Sequence, residues 1–403
     1  MRIAFLTTEF VSEPNFPGGL SNYLLQVCLG LKEFHHHPVV FVPSSKNEII
    51  FYQGIEVVRI ERQTPFFIRI LDRLTLSRLS YPLSVISSAF ILSKALRQYH
   101  EKNPFDVVQA ASFKATNLFL NSEIPTVTRI SSYEPLLRKA YGKPYTFSQI
   151  IYEWLEAFAI KKAHNVFAPS KLIAKEVNRL MNLPVKLLES PFILDTPDFD
   201  WSFYDRHLKD KTYLLFTGTV GLLKGCKAIA DILEPLLLKN PRLFFVFIGQ
   251  HSSYQGDVMM NYVRNKSGSV HDRVLYFEPI RHKALYPIIR KAHCVVLPSI
   301  VDNFPNACLE AMSLCRVVVG TQGTSLDQMI EDGVSGFLCA PNSPDSLSEA
   351  IDRVLNLSKS ERDIISRNAK SAMERLSPRT VVKELVDFYI STIEKTDGRK
   401  NAL

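Results

Sequence analysis

The sequence predicts an α/β chain of two doubly wound parallel-sheet domains, and three observations carry that expectation. The chain has 403 residues, more than a single ordinary core organises, so two domains are the natural count. It opens with a short apolar run, a glycine-ended loop, a segment of helical spacing and a second apolar run, which is how a doubly wound α/β unit begins. Past residue 212 the same alternation of short apolar runs and helical segments starts again.

In order, residues 3–7 (IAFLT) read as a strand buried on both faces. The loop EFVSEPNFPGGL follows and ends in Gly18 and Gly19. Residues 21–34 place Leu24, Leu25, Cys28, Leu29 and Leu31 at helical spacing, and 39–42 form the next strand. The loop lacks the G-x-G-x-x-G spacing of a dinucleotide site. Paired glycines before a helix either let a ligand approach the backbone or simply make a turn, and the residues alone leave both open.

Residues 59–97 mix Phe66, Phe67, Ile68, Ile70, Leu71, Leu74, Leu76 and Leu79 with seven basic residues, against only Glu61 and Asp72. A basic amphipathic segment with aromatics fits an anionic membrane surface. The alternative is a core helix whose arginines face solvent. Strand-like runs follow at 106–110, 125–130 and 163–170. Residues 191–212, rich in Pro, Asp and aromatics, read as a linker between a domain of residues 1–190 and one of 213–377. The second domain carries strands at 213–217, 243–249, 274–277, 294–297 and 316–320, with a helix at 286–292. Its first strand leads into GTVGLLKG, where Lys224 taken alone is either a surface or a catalytic lysine. A last helix occupies 378–395.

Composition narrows the function classes. The net charge of +8 is uneven: residues 1–190 hold 22 Lys/Arg against 15 Asp/Glu, and residues 191–403 hold 26 against 25. A basic first half is compatible with an anionic partner, but no helix-turn-helix, zinc spacing or RNP motif points to nucleic acid. Six scattered cysteines without a C-x-x-C pair, several inside apolar runs, read as reduced core residues of a cytoplasmic protein. The N-terminus runs straight into a strand without the regions of a signal peptide. The least charged stretch, 79–93, is too short and too rich in serine to span a bilayer.

The most informative stretch is 298–312, PSIVDNFPNACLEAM. It follows the apolar run 294–297, passes through a turn with Asp302, Asn303, Pro305 and Asn306, and enters helix composition from about Phe304. Pro305 suits a first helical turn, where its missing N–H is not needed. The N–H groups of Phe304, Asn306 and Ala307 then make an anion site suited to a diphosphate. Glu310 stands in a narrow polar stripe of Asn306, Glu310 and Ser313 on an otherwise apolar helix. It either faces solvent or is a buried carboxylate awaiting partners such as ribose hydroxyls.

The ordered wording D-N-F-P-N-A-C-L-E-A-M resembles the acidic-x7-acidic signature of the retaining glycosyltransferases of family four. In that family the second acid holds the nucleotide ribose, a role that falls on Glu310. The first acid and the following backbone face the donor sugar, which implicates Asp302, Asn303, Phe304, Pro305 and Asn306. The loop GTVGLLKG resembles the family's G-R-x-x-x-x-K-G loop and places Lys224 against the leaving diphosphate, with Thr219 at the arginine position. The resemblance carries Gly18 and Gly19 into the site, over the diphosphate and near the acceptor. AHNVFAPS at 163–170 and GTSLDQMIEDGVSGFL at 323–338 match further family segments, so the likeness covers nearly the whole chain. Departures are Ser131, where members often carry histidine, and Gln328 at the usual glutamate position.

The resemblance implies the GT-B fold, two such domains facing across a cleft, with the last helix crossing back to the first, acceptor-side domain. It implies a retaining, metal-independent transfer of sugar from a nucleotide diphosphate-sugar to a hydroxyl, without a cofactor, in cell-surface polysaccharide or glycolipid synthesis. The expected partners are the donor, a lipid-linked or saccharide acceptor, and an anionic membrane surface reached through residues 59–97, which would make a cytoplasmic protein peripheral. Thr219, Ser131 and Gln328 keep one rival open, a GT-B protein without catalysis that serves as a binding or partner subunit. A glycosidase needs two carboxylates flanking one bond, whereas Asp302 and Glu310 are assigned to sugar and ribose.

Overall fold

Alternate residues of the first strand serve opposite faces of a sheet, and that period of two organises the first half of the chain. In the computed structural model, Ile3 and Phe5 of β1 (Arg2–Leu6) pack with the helix Gly19–Glu33 and with Val382, Leu385 and Tyr389 of the last helix, Pro378–Lys400. Ala4 and Leu6 pack on the other face with Leu92 and Leu96 of the helix Ser80–Lys102. The structure describes residues 1–13, 18–75, 77–121, 123–142, 145–194 and 198–400, without the side chains of residues 67, 399 and 400.

The chain divides into two compact units, residues 1–193 with 376–403, and residues 194–375. The last helix therefore belongs to the first unit, where the Tyr389 hydroxyl donates to Gln109 Oε1 at 2.6 Å. The first unit's other strands are β2 (His37–Ser44), β3 (Glu48–Tyr52), β4 (Ile55–Glu61), β5 (Val107–Ala111), β6 (Thr126–Arg129), β7 (Asn165–Ala168) and β8 (Val185–Leu187). They lie in the order β3-β4-β2-β1-β5-β6-β7-β8. All pairs are parallel except β3 with β4. That hairpin is absent from the sequence reading. It closes through Gln53 and Gly54, both at positive φ (49° and 73°), the backbone a two-residue hairpin turn requires.

The second unit holds β9 (Thr212–Thr217), β10 (Leu243–Ile248), a small hairpin of β11 (Ser253–Tyr254) and β12 (Asp257–Val258), β13 (Val274–Phe277), β14 (Cys294–Leu297), β15 (Val318–Thr321) and β16 (Phe337–Cys339). Its main sheet is wholly parallel, in the order β13-β10-β9-β14-β15-β16. In both units the chain starts in the middle of the sheet and winds outward both ways. The crevice beyond the strand ends therefore opens between β1 and β5 in the first unit, and between β9 and β14 in the second.

Two expectations need correction. The segment 191–212 is not featureless: it contains the helix Ser202–His207, where Asp200 Oδ1 accepts from the Ser202 N–H at 3.0 Å. Its aromatics Phe199, Trp201 and Tyr204 pack together, with Phe199 against Tyr286, which explains an aromatic-rich stretch without periodicity. Nor is 59–97 one amphipathic segment. Arg59 lies in β4 and pairs with Glu13 and Glu48 at 2.7 Å each, so it is spent inside the unit. A short helix, Phe66–Leu74, follows, and then the helix Ser80–Lys102, which buries Leu83, Val85, Ala89, Leu92 and Leu96. Phe66 is exposed, while the Phe67 side chain and Leu76 lie outside the described residues.

Among the described residues no helix is long and apolar enough to cross a membrane. All six cysteines are free, and five are buried. Burial pushes the Cys226 and Cys294 thiols up to about 12.

Candidate active site

The second unit's crevice is built by the loops that leave β9 and β14, which the strand order makes neighbours. After β9 the chain passes Gly218 and the exposed Thr219, makes a single 3-10 turn over Leu222–Lys224, and bends at Gly225. Gly225 has φ 74°, and a Cβ there would lie 1.9 Å from the Pro298 carbonyl oxygen. Only glycine lets the first loop press against the second. The Ile300 N–H donates to the Leu223 carbonyl at 2.8 Å and ties the two loops together.

This contact brings Lys224 and Asp302 into a direct ion pair, Nζ on Oδ2. Asp302 is held from its own loop as well: Oδ1 accepts from the Asn303 N–H at 3.0 Å, and Oδ2 accepts from Ser299 Oγ at 3.4 Å. Lys224 is half-buried and Asp302 more so. The sequence reading named both residues but gave no sign that they meet.

The helix after this loop spans Asn306–Ser313, so Pro305 is its N-cap (φ −74°, ψ 117°), one position before the first turn expected for it. The Pro305 carbonyl accepts from the Cys308 and Leu309 N–H groups at 3.1 and 3.4 Å. Helical geometry leaves the Asn306 and Ala307 N–H groups without an intrahelical acceptor, and the helix dipole adds positive potential there. Phe304 and Pro305 are themselves buried, so their part in the site is to shape its backbone.

Glu310 settles the alternative left open by its spacing. It is 6% exposed, so it does not occupy a solvent face. Burial alone pushes its carboxyl up to about 8. Its Oε1 lies 3.8 Å from Nε2 of His282, on the helix His282–Lys291, where the imidazole stacks on Tyr286 at 5.6 Å. His282 was not singled out from sequence: it sits 28 residues upstream of Glu310 with no motif linking them.

Gly18 and Gly19 belong to the first unit. Gly18 caps the helix Gly19–Glu33 at φ −87°. A Cβ on it would meet Glu9 Oε1 at 2.5 Å, whereas one on Gly19 would meet nothing within 4 Å. The space left by Gly18 is thus taken by the protein's own Glu9, whose Oε1 accepts from the Ser21 N–H at 3.3 Å. Glu9 is a second residue the sequence reading passed over. Ser131, on the loop leaving β6, accepts from Arg129 Nη1 at 3.2 Å, and its N–H donates to Ser112 Oγ at 3.2 Å. Gln328 lies in the short helix Leu326–Met329, and its carbonyl accepts from Arg375 at 3.3 Å.

Two parallel-sheet α/β units, the second with a lysine, an acidic loop and a helix start at its switch point, are the GT-B class of glycosyltransferases. Family models described as Glycosyltransferase Family 4 and Glycosyl transferases group 1 match residues 17–188 and 200–371, and the chain belongs to the glycosyltransferases of family four. It is 24% identical to the uncharacterized glycosyltransferase MJ1607 of Methanocaldococcus jannaschii, over 98% of this chain and 99% of that one. Among solved structures it resembles sucrose-phosphate synthase from Thermosynechococcus elongatus (TM-score 0.77, 15% identity, 98% of this chain and 99% of that one). It also resembles Anabaena HepE in complex with UDP (TM-score 0.69, 17% identity, 97% and 100%).

Proposed function

We propose that this chain transfers a sugar from a nucleotide diphosphate-sugar to an acceptor hydroxyl with retention of configuration, in the synthesis of a cell-surface polysaccharide or glycolipid. The observation that carries the reading is the meeting of Lys224, Asp302 and the start of the Asn306–Ser313 helix at one switch point, with a buried carboxyl, Glu310, one turn further on. The Asn306 and Ala307 N–H groups and Lys224 bind the donor's diphosphate. Charge grows on that diphosphate as its bond to the sugar breaks, and a preformed cationic surface is most effective there. In this reading the protein supplies that stabilisation and the reaction uses no metal or cofactor. Lys224 exchanges Asp302 for the phosphate, which frees the Asp302 carboxylate and the Asn303 backbone for the sugar. Glu310 accepts from the ribose hydroxyls, and His282 flanks that contact. HepE solved with UDP-glucose supports a nucleotide-sugar as the donor class.

The reading extends to a membrane-borne acceptor. The helix Phe66–Leu74 exposes Phe66, Ile70, Leu71 and Leu74 beside Arg69 and Arg73. The helix Phe147–Lys162 exposes Phe147, Ile150, Trp154 and Phe158. Apolar side chains flanked by arginines suit reversible docking on anionic lipid, with the enzyme at the cytoplasmic face.

The test is proton NMR of the sugar product formed by the full chain from an α-linked nucleotide-sugar. An α-linked product supports retention, a β-linked product overturns it, and a chain that turns over no donor contradicts the transferase reading.

A further inference from the structure

An open sheet ends in two rows of unpaired N–H and C=O groups, and natural proteins shorten, charge or cover them because such an edge takes up another strand. Of the four edges of the two main sheets, three are protected in this way. β8 is three residues long with the exposed Lys186 at its centre, and β16 is equally short. β13 is covered by Phe203 and His207, whose rings pack on Phe277 at 5.1 and 5.4 Å. The fourth, β3, is five residues long, EIIFY, without proline or lysine. Its one charge, Glu48, is neutralised by Arg59 and Lys46 at 2.7 and 2.8 Å.

The turn at Gln53 and Gly54 fixes which groups of β3 face outward. With both residues at positive φ, Tyr52 and Ile55 close the hairpin as a hydrogen-bonded pair, and such pairs recur at every second residue. Glu48, Ile50 and Tyr52 therefore spend their backbone groups on β4, and Ile49 and Phe51 turn theirs to the open edge. The side chains of the same two residues are uncovered, Ile49 being 53% exposed and Phe51 73%. They lie on the face of Val58, the register partner of Ile49. There the helix Ser80–Lys102 packs over Val58 and Ile60 and leaves β3 bare. Between them runs a trough of about 520 Å³, with Ile49, Val58 and Ile60 on one side and Ile91, Ala95 and Tyr99 on the other.

We propose that β3 pairs with β3 of a second copy of this chain about a two-fold axis at Ile50, joining two eight-stranded sheets into one. Antiparallel pairing about that centre sets Ile49 against Phe51 of the second copy, and Phe51 against its Ile49, as two hydrogen-bonded pairs. Ile50 faces its own counterpart between them. This register uses all four outward groups of β3, and a slip of two residues wastes half of them. It also sets an aromatic on a β-branched side chain twice, and opposes Glu48 to a tyrosine rather than to a like charge. Beyond Phe51 of the second copy lies its register partner Glu56, on the face whose trough carries the exposed Lys94 at its rim. A strand of unrelated sequence has no reason to match this two-fold pattern. Two five-residue edges are smaller than a standard interface of about 800 Å² per partner, so the dimer should dissociate in the micromolar range.

Sedimentation velocity of the full chain across the micromolar range tests the pairing. A concentration-dependent dimer is expected. Phe51→Lys, a change at an exposed side chain, should weaken it about tenfold or more, since both cross-strand pairs are lost. Leu74→Lys, equally exposed but on the helix Phe66–Leu74, should leave it unchanged. Mild oxidation tests the register. Ile50→Cys should form a disulfide-linked dimer, because facing residues of a non-hydrogen-bonded pair are about 4.5 Å apart at Cα. Ile49→Cys should not, because two copies of residue 49 lie about 8 Å apart in this register. A chain that stays monomeric and does not cross-link through Ile50→Cys overturns the proposal, as do equal cross-linking by both cysteines and a dimer indifferent to Phe51→Lys. Amide exchange at Ile49 and Phe51 should slow as concentration rises. Slow exchange at every concentration would mean that the chain's own residues cover the edge, and would also overturn it.

Discussion

Replacing Glu310 with Gln keeps the shape of the side chain and removes its titration, which isolates the cost of burying that carboxyl. Burial raises it from an ordinary 4.5 to about 8. Between those values the unfolded chain ionises Glu310 and the folded chain does not, so the native state binds the extra proton. Stability therefore falls as pH rises through this window. Each pH unit counts for about 1.4 kcal/mol, so from about pH 5 to about pH 7.5 the wild type should lose about 3 kcal/mol that the Gln variant keeps. Urea unfolding of both proteins at the two pH values measures the difference directly. Parallel pH profiles would refute the buried, uncompensated carboxyl on which the nucleotide assignment is built. The same group predicts a binding signature. Ribose hydroxyls donating to the carboxylate favour its ionised form, so nucleotide binding near neutral pH should release a proton. The Gln variant should release less and bind about 1.5–3 kcal/mol more weakly, as calorimetry in two buffers would record.

Lys224→Ala should reduce the transfer rate about a hundredfold while changing donor affinity less, because the diphosphate charge grows in the transition state. Steady-state kinetics that show equal losses would make Lys224 an ordinary binding residue. Gly225→Ala places a Cβ against the Pro298 carbonyl at a positive φ, and should cost about 1–3 kcal/mol and lower the Tm; an unchanged Tm contradicts the loop contact. Charge reversal at Arg69, Arg73 and Arg78 should abolish sedimentation with anionic vesicles at low salt, since each basic residue near such a surface is worth about 1 kcal/mol. Undiminished pelleting of that variant would move the docking surface elsewhere.

The parts of the fold that were legible are those where a local pattern has one physical solution. Apolar runs such as 3–7 and 294–297 fit strands buried on both faces, and the glycine loops fit the turns after the first strand of each unit. The β3–β4 hairpin was missed because Glu48–Tyr52 alternates only loosely and its turn is Gln53-Gly54, without the Asn or Asp that usually marks it. Glu310 was legible as a candidate but its burial was not, because a polar stripe on a short helix reads the same in solvent or against a neighbouring helix. Arg59 illustrates the opposite failure: its charge counted toward a basic surface, while Glu13 and Glu48 arrive from elsewhere in the chain to neutralise it. The ion pair of Lys224 with Asp302, 78 residues apart, and the left-handed turn at Lys114 are products of sheet order and loop closure, which no window of sequence contains.

Binding of nucleotide diphosphates to the purified chain tests the central claim most directly. A thermal-shift panel of nucleoside diphosphates, monophosphates and nucleotide-sugars should yield at least one diphosphate that raises the Tm. That shift should shrink in Glu310→Gln and should exceed the shift from the matching monophosphate, because Lys224 and the helix start at Asn306 are assigned to the diphosphate. If no nucleotide stabilises the chain, or if mono- and diphosphates do so equally and independently of Glu310, the second unit's switch point is not a donor site.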